Sequence, residues 1–107
     1  MFGAWQAGAW RTLVSSFRPD VVAGASVGAL NGYAIASGWS PEELCAWWLR
    51  PPSEGLSPDF DRLPETTRAL ASRPLEREYA VVLVNPLRMR PRTFTGSAVT
   101  ARHLLAS

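Results

Sequence analysis

Apolar positions along the chain change period several times, and each change marks an element. Residues 4–17 are apolar almost all round, with Trp5, Ala9 and Leu13 on one face and Trp10, Val14 and Phe17 close by. With Arg11 as its main charge, this stretch predicts a largely buried helix that Arg18-Pro19-Asp20 breaks. Val21-Val22-Ala23 is a short apolar run of the kind that forms a fully buried strand in a parallel sheet. Small residues then dominate 27–37, which predicts a tightly packed helix stopped by Gly38 at the C′ position. Ser40-Pro41-Glu42-Glu43 is a capping box with proline at the first helical position. The helix it opens carries Leu44, Trp47 and Trp48 at i, i+3 and i+4, and Pro51-Pro52 closes it.

Residues 53–64 read as loop and 65–73 as a short helix. Tyr79 to Asn85 is the clearest strand, rich in valine and opened by an aromatic residue. Pro86 to Pro91 reads as a turn, 92–95 as a second short strand, and Ser97 as the cap of a last helix over 98–105. This order predicts an α/β fold in which strands 21–24 and 79–85 are neighbours in a mostly parallel sheet.

Length and composition fit this picture: 107 residues allow at most one domain, and 47% apolar with 19% charged is a globular mixture. The net charge of +2 is too mild for a nucleic-acid binder. It is unevenly spread, because Arg88, Arg90, Arg92 and Arg102 lie in a segment, 79–107, that holds no acid. The single cysteine, Cys45, excludes an internal disulfide and reads as a small hydrophobe, and no Cys/His spacing points to a metal. No cofactor motif is present either. The start of the chain lacks a basic region ahead of an apolar run, and the charge-free stretch 21–41 is too small in its side chains for a membrane span. A cytoplasmic or membrane-peripheral location is the expectation.

The residues that carry chemistry centre on Gly24-Ala25-Ser26-Val27-Gly28. A G-x-S-x-G between strand and helix holds a serine at a sharp turn with its hydroxyl exposed, while the helix behind it offers free N–H groups to a developing oxyanion. Flanking glycines let strand and helix converge. The same spacing also arises by chance in a Gly/Ala/Ser-rich strand–helix turn.

The segment Asp20-Val-Val-Ala-Gly-Ala-Ser-Val-Gly-Ala-Leu-Asn-Gly32 resembles the nucleophile elbow of patatin-like phospholipases. Gly3 to Gly8 is similar to the helix after that family's glycine-rich oxyanion loop, and Thr100 to Ser107 to the helix leading into its Ala-Ser-x-Ala-x-Pro stretch. The resemblance implies a three-layer α/β sandwich, Ser26 as nucleophile, the Val27 N–H as an oxyanion donor, and a lipid or acyl-ester substrate. A peripheral membrane contact would go with such a substrate. Only Met1-Phe2-Gly3 would match the end of the G-G-G-x-x-G loop, and no aspartate is followed by glycine as the family's base is. The expectation is therefore a partial patatin-like domain over 1–107, with the base outside it and little activity by itself.

Other candidates for a base are weaker. Asp20 sits about 20 Å from Ser26 along an extended run, Asp59 and Asp61 lie in a polar loop, and His103 stands on a helix between Arg102 and Leu104. An α/β-hydrolase esterase shares the pentapeptide but needs a late histidine after an acid, and a non-catalytic module could keep the elbow without the chemistry. Trp39, Trp47 and Trp48 suit either core packing or a lipid-facing surface. Arg88, Arg90 and Arg92 alternate, as for a solvated strand edge or a surface meeting anionic headgroups.

Overall fold

The computed structural model describes residues 2–50, 63–85 and 87–107. Met1, Pro51-Pro52, Asp59, Asp61 and Pro86, and with them most of the expected 53–64 loop, lie outside the described residues. The order is α1 (Phe2–Leu13), β1 (Val21–Gly24), α2 (Val27–Ala36), α3 (Pro41–Leu49), α4 (Leu63–Ala71), β2 (Glu78–Asn85), β3 (Arg90–Thr95), a single 3₁₀ turn (Gly96–Ala98) and α5 (Ala101–Ala106).

The three strands form one sheet in the order β1-β2-β3. Strand β1 pairs with β2 in parallel, Val21 opposite Glu78 and Gly24 opposite Val81. Strand β3 returns antiparallel on the far edge, with Val81 opposite Phe94 and Asn85 opposite Arg90. The neighbourhood of β1 and β2 is as the sequence predicts, and the sheet as a whole has one parallel and one antiparallel junction.

Helix α2 lies on the face presented by Val22, Tyr79 and Val81, and its small side chains allow the approach. A Cβ on Gly32 would come within 3.2 Å of both Val22 and Tyr79. Tyr79 is the keystone of this core. It is buried, it donates from its hydroxyl to the Ala29 carbonyl at 2.7 Å, and its ring meets Tyr33 edge-on at 5.3 Å. Burial, and then the nearness of Tyr33, raise the Tyr79 pKa above the ordinary phenol value, so the hydroxyl stays a donor.

Sequence signals at the helix ends are realised closely. Gly38 takes φ +81 while Trp39 N–H donates to Ala34 and Gly38 N–H to Ile35, a Schellman closure of α2. Ser40 caps α3 by accepting from Glu43 N–H at 3.0 Å, and the Glu43 side chain answers at the Ser40 N–H.

Three expectations are corrected. The 4–17 segment is neither helical throughout nor largely buried: α1 ends at Leu13 and buries only Gly3, Ala7 and Trp10, leaving Trp5 73% exposed along with Phe2 and Leu13. Its inner face is narrow because it packs on α2 and α3 through two small residues and Trp10. Strand β1 is not fully buried, since it is an edge strand with Val21 56% exposed. The mixed α/β architecture itself, helices packed on a three-stranded sheet, is what a part of a three-layer α/β fold would show. The last helix starts later than expected because 96–98 closes as a 3₁₀ turn. Thr100, not Ser97, caps α5.

Candidate active site

The chain turns from β1 into α2 at Ser26, one of two non-glycine residues with positive φ among those described. Ser26 has φ 53 and ψ −134, outside the regions open to ordinary L-residues, and it is the residue before the first helical turn of α2. Its side chain makes no capping hydrogen bond, although serine commonly does so at this position. The Ser26 carbonyl accepts from Ala29 N–H at 2.8 Å. Val27 and Gly28 begin the helix, where N–H groups have no intrahelical partner and the dipole favours negative charge. Ser26 itself is exposed, so the turn is open to solvent.

The strain is held by contact between strand and helix. A Cβ on Gly24 would lie 2.2 Å from the Gly28 carbonyl oxygen and 2.8 Å from the Ala29 Cα, all main-chain atoms that cannot swing aside. Gly28 is different. Its nearest neighbour would be the Gln6 amide at 3.9 Å, so the expectation that both glycines are needed for the approach is corrected to Gly24 alone. Gly28 contributes its backbone to the contact.

Beside Ser26 lies a small apolar recess of about 120 Å³, lined by Val27, Leu30, Leu63, Leu104 and Leu105. Ser107 closes one side, its hydroxyl donating to the Leu104 carbonyl at 2.7 Å and more weakly to the Ser26 carbonyl at 3.3 Å. Helix α5 and the head of α2 thus share a wall. Far larger hollows lie elsewhere, such as one of about 620 Å³ beside Arg73 and Arg77, but these open away from the elbow.

Asn31, which sequence reasoning passed over, organises the region behind the turn. Its buried amide donates to the Gly3 carbonyl at 3.0 Å and to Gln6 Oε1 at 2.9 Å, and accepts from the Trp48 indole at 2.6 Å. One side chain therefore ties the first turn of α1 and the last of α3 to α2. The available signal was a lone amide in a run of small apolar residues. Asn31→Ala would leave a carbonyl, an amide and an indole N–H without this partner. A loss of about 2–3 kcal/mol in unfolding free energy is expected, measured by urea titration.

None of the described base candidates is hydrogen-bonded to Ser26. Asp20 precedes β1 and Ser26 follows it, so the two occupy opposite ends of the strand. His103 is a capping residue. Its Nδ1 accepts from the Thr100 N–H at 3.0 Å, its ring stacks on Phe94 at 4.1 Å, and among the described residues no hydrogen bond joins it to Ser26. The tryptophans follow their packing reading, with Trp47 5% exposed and in edge contact with both Trp39 and Trp48. Arg73 covers Trp39 at 5.0 Å. Cys45 is half-buried against the core.

A family model of patatin-like phospholipases matches residues 1–77, a span that contains α1, the elbow and α3. The chain belongs to the patatin-like phospholipase family. That family is one of lipid acyl hydrolases, and the function of this chain is of that general type. No curated protein matches the chain. Among the described residues, no helix is long and apolar enough to cross a membrane.

Proposed function

We propose that Ser26 is the nucleophile of a lipid ester hydrolase working through an acyl-enzyme. Ser26 Oγ would attack the ester carbonyl and pass its proton to a carboxylate base, while backbone N–H groups at the head of α2, Val27 first among them, stabilise the oxyanion. Collapse expels the alcohol. Water then releases the carboxylic acid and regenerates the serine. The observation that carries this reading is the strained Ser26 backbone, kept at an exposed turn where serine caps nothing. Strain of that kind costs about 1–3 kcal/mol and is kept where geometry serves chemistry.

Residues 1–107 are, in this proposal, the elbow portion of a patatin-like domain, and the base is a carboxylate from outside them. Two facts support it: no aspartate is followed by glycine, and Asp20 is at the wrong end of β1. An α/β-hydrolase mechanism is disfavoured because the lone histidine uses its Nδ1 to cap α5.

The test is a p-nitrophenyl butyrate assay on residues 1–107 alone and on the product encoded with its flanking sequence. Turnover only by the extended product is the expected result. Robust turnover by the 107 residues alone would bring the base back inside the chain. An extended product that carries a glycine run and an Asp-Gly motif yet stays inactive would leave a non-catalytic elbow.

A further inference from the structure

The β2–β3 hairpin puts an unusual pair of properties at one point. Leu87 is 93% exposed and Met89 78% exposed, alternating with the exposed cations Arg88 and Arg90, and Arg92 follows along β3. No acid occurs anywhere from Tyr79 to Ser107, and among the described residues none of the three arginines forms an ion pair. Arg92 packs its guanidinium over Phe94 at 5.9 Å, which leaves its charge uncompensated.

The tip is built rather than loose. Asn85 Oδ1 accepts from the N–H groups of Leu87 and Arg88 at 2.9 and 3.1 Å, and the Asn85 carbonyl accepts from Met89 N–H at 2.8 Å. Met89 takes φ 49, an uncommon conformation for a side chain of its size. Two large apolar side chains are therefore presented to water by a turn that local hydrogen bonds hold in shape.

Its direction matters. Because β1 and β2 run in parallel, the Asn85 end of β2 lies at the same end of the sheet as Ser26. Strand β2 continues past the Gly24–Val81 pair to Asn85, so the tip stands roughly 13 Å beyond the elbow at ~3.3 Å per residue.

We propose that this hairpin docks the protein on an anionic lipid surface, with Leu87 and Met89 entering the acyl boundary and Arg88, Arg90 and Arg92 at the phosphates. Apolar tips flanked by arginine are the composition that an interface rewards, where each half of the side-chain set finds its own medium. A nucleic acid would use the arginines and leave Leu87 and Met89 in water. A solvated strand edge needs the charges but gains nothing from the exposed apolar pair. The choice of a lipid surface rests on the hydrolase reading, since docking would bring the Ser26 end of the sheet to its substrate.

Vesicle flotation of the full chain tests this without any turnover. Vesicles of phosphatidylcholine alone are compared with equal parts phosphatidylcholine and phosphatidylglycerol. Wild type should float with the anionic vesicles and be released as salt is raised. Replacing Arg88, Arg90 and Arg92 by Gln should weaken binding about a hundredfold, at about fivefold per arginine. Leu87→Asp with Met89→Asp should weaken it at least about tenfold through lost apolar burial, with the circular dichroism spectrum unchanged because the tip is exposed. Ser26→Ala should bind as wild type does, so failed docking and failed chemistry are separable. Binding that ignores the tip variants, or that moves to Phe2→Ser and Trp5→Ser on α1, overturns the proposal. So does salt-sensitive binding that the arginines govern but Leu87 and Met89 do not, which would mark a general polyanion surface.

Discussion

Ser26→Ala should abolish ester turnover while leaving the fold untouched. In the catalytically complete protein kcat/KM for p-nitrophenyl butyrate is expected to fall by about 10⁴ or more, the scale seen when a covalent nucleophile is removed. Alanine keeps the Cβ and can occupy the same strained backbone. The serine hydroxyl makes no capping hydrogen bond, so no structural bond is lost with it. Unfolding free energy should therefore change by less than about 0.5 kcal/mol. Activity and stability are thus decoupled at this position. A variant that retains turnover would remove Ser26 from the mechanism, whereas one that unfolds would show the hydroxyl to be structural.

Gly24→Ala should be strongly destabilising, because the methyl it adds meets main chain. The new Cβ would fall 2.2 Å from a carbonyl oxygen and 2.6 Å from its carbon, both in the main chain of Gly28. Relief requires α2 to move off β1, which breaks the contact that holds the Ser26 turn. Overpacking against backbone costs about 3 kcal/mol or more, a large share of the ~5–15 kcal/mol that a domain has in hand. Gly28→Ala is the matched control. Its Cβ meets nothing nearer than 3.9 Å, and alanine gains up to about 1 kcal/mol of helix propensity. Urea midpoints should therefore drop sharply for the first variant and hold or rise for the second. Equal losses would mean that the close approach between strand and helix does not govern this turn.

The contrast between the two glycines shows where the sequence was readable. Signals confined to a few neighbouring residues were legible: the Ser40 box, the Gly38 stop, the valine-rich strand and the serine between two glycines each specify a local geometry. Which glycine is sterically required was not legible, because that depends on how near two elements come in space. The same limit explains α1 and β1. Apolar composition marked both for burial, yet the amount buried depends on what covers each face, and a helix touching its neighbours through Gly3, Ala7 and Trp10 leaves Phe2, Trp5 and Leu13 in water. Asn31 was overlooked for a related reason: its three partners come from Gly3, Gln6 and Trp48, and no spacing rule links those positions. At the C-terminal end, Ser97 offered an ordinary cap. The chain instead uses Thr100 with a histidine in the place where glutamate or glutamine is usual.

Parallel pairing of β1 with β2 also decides when the serine turn is fully secured. Gly24 meets Val81 across 57 positions of chain, and the Tyr79 hydroxyl reaches Ala29 across 50. Closing so long a loop is costly in entropy and slow relative to local helix formation. Until it closes, only the local contact of Gly24 with Gly28 and Ala29 opposes relaxation of Ser26 to an ordinary backbone conformation, and β1 has no paired neighbour in the described sheet except β2. Helices such as α3, with its own cap, can form early from local contacts. The turn at Ser26 gains its full support only with that long-range pairing. Its geometry is therefore held most firmly in the completed fold, where the local contact and the long-range pairing act together.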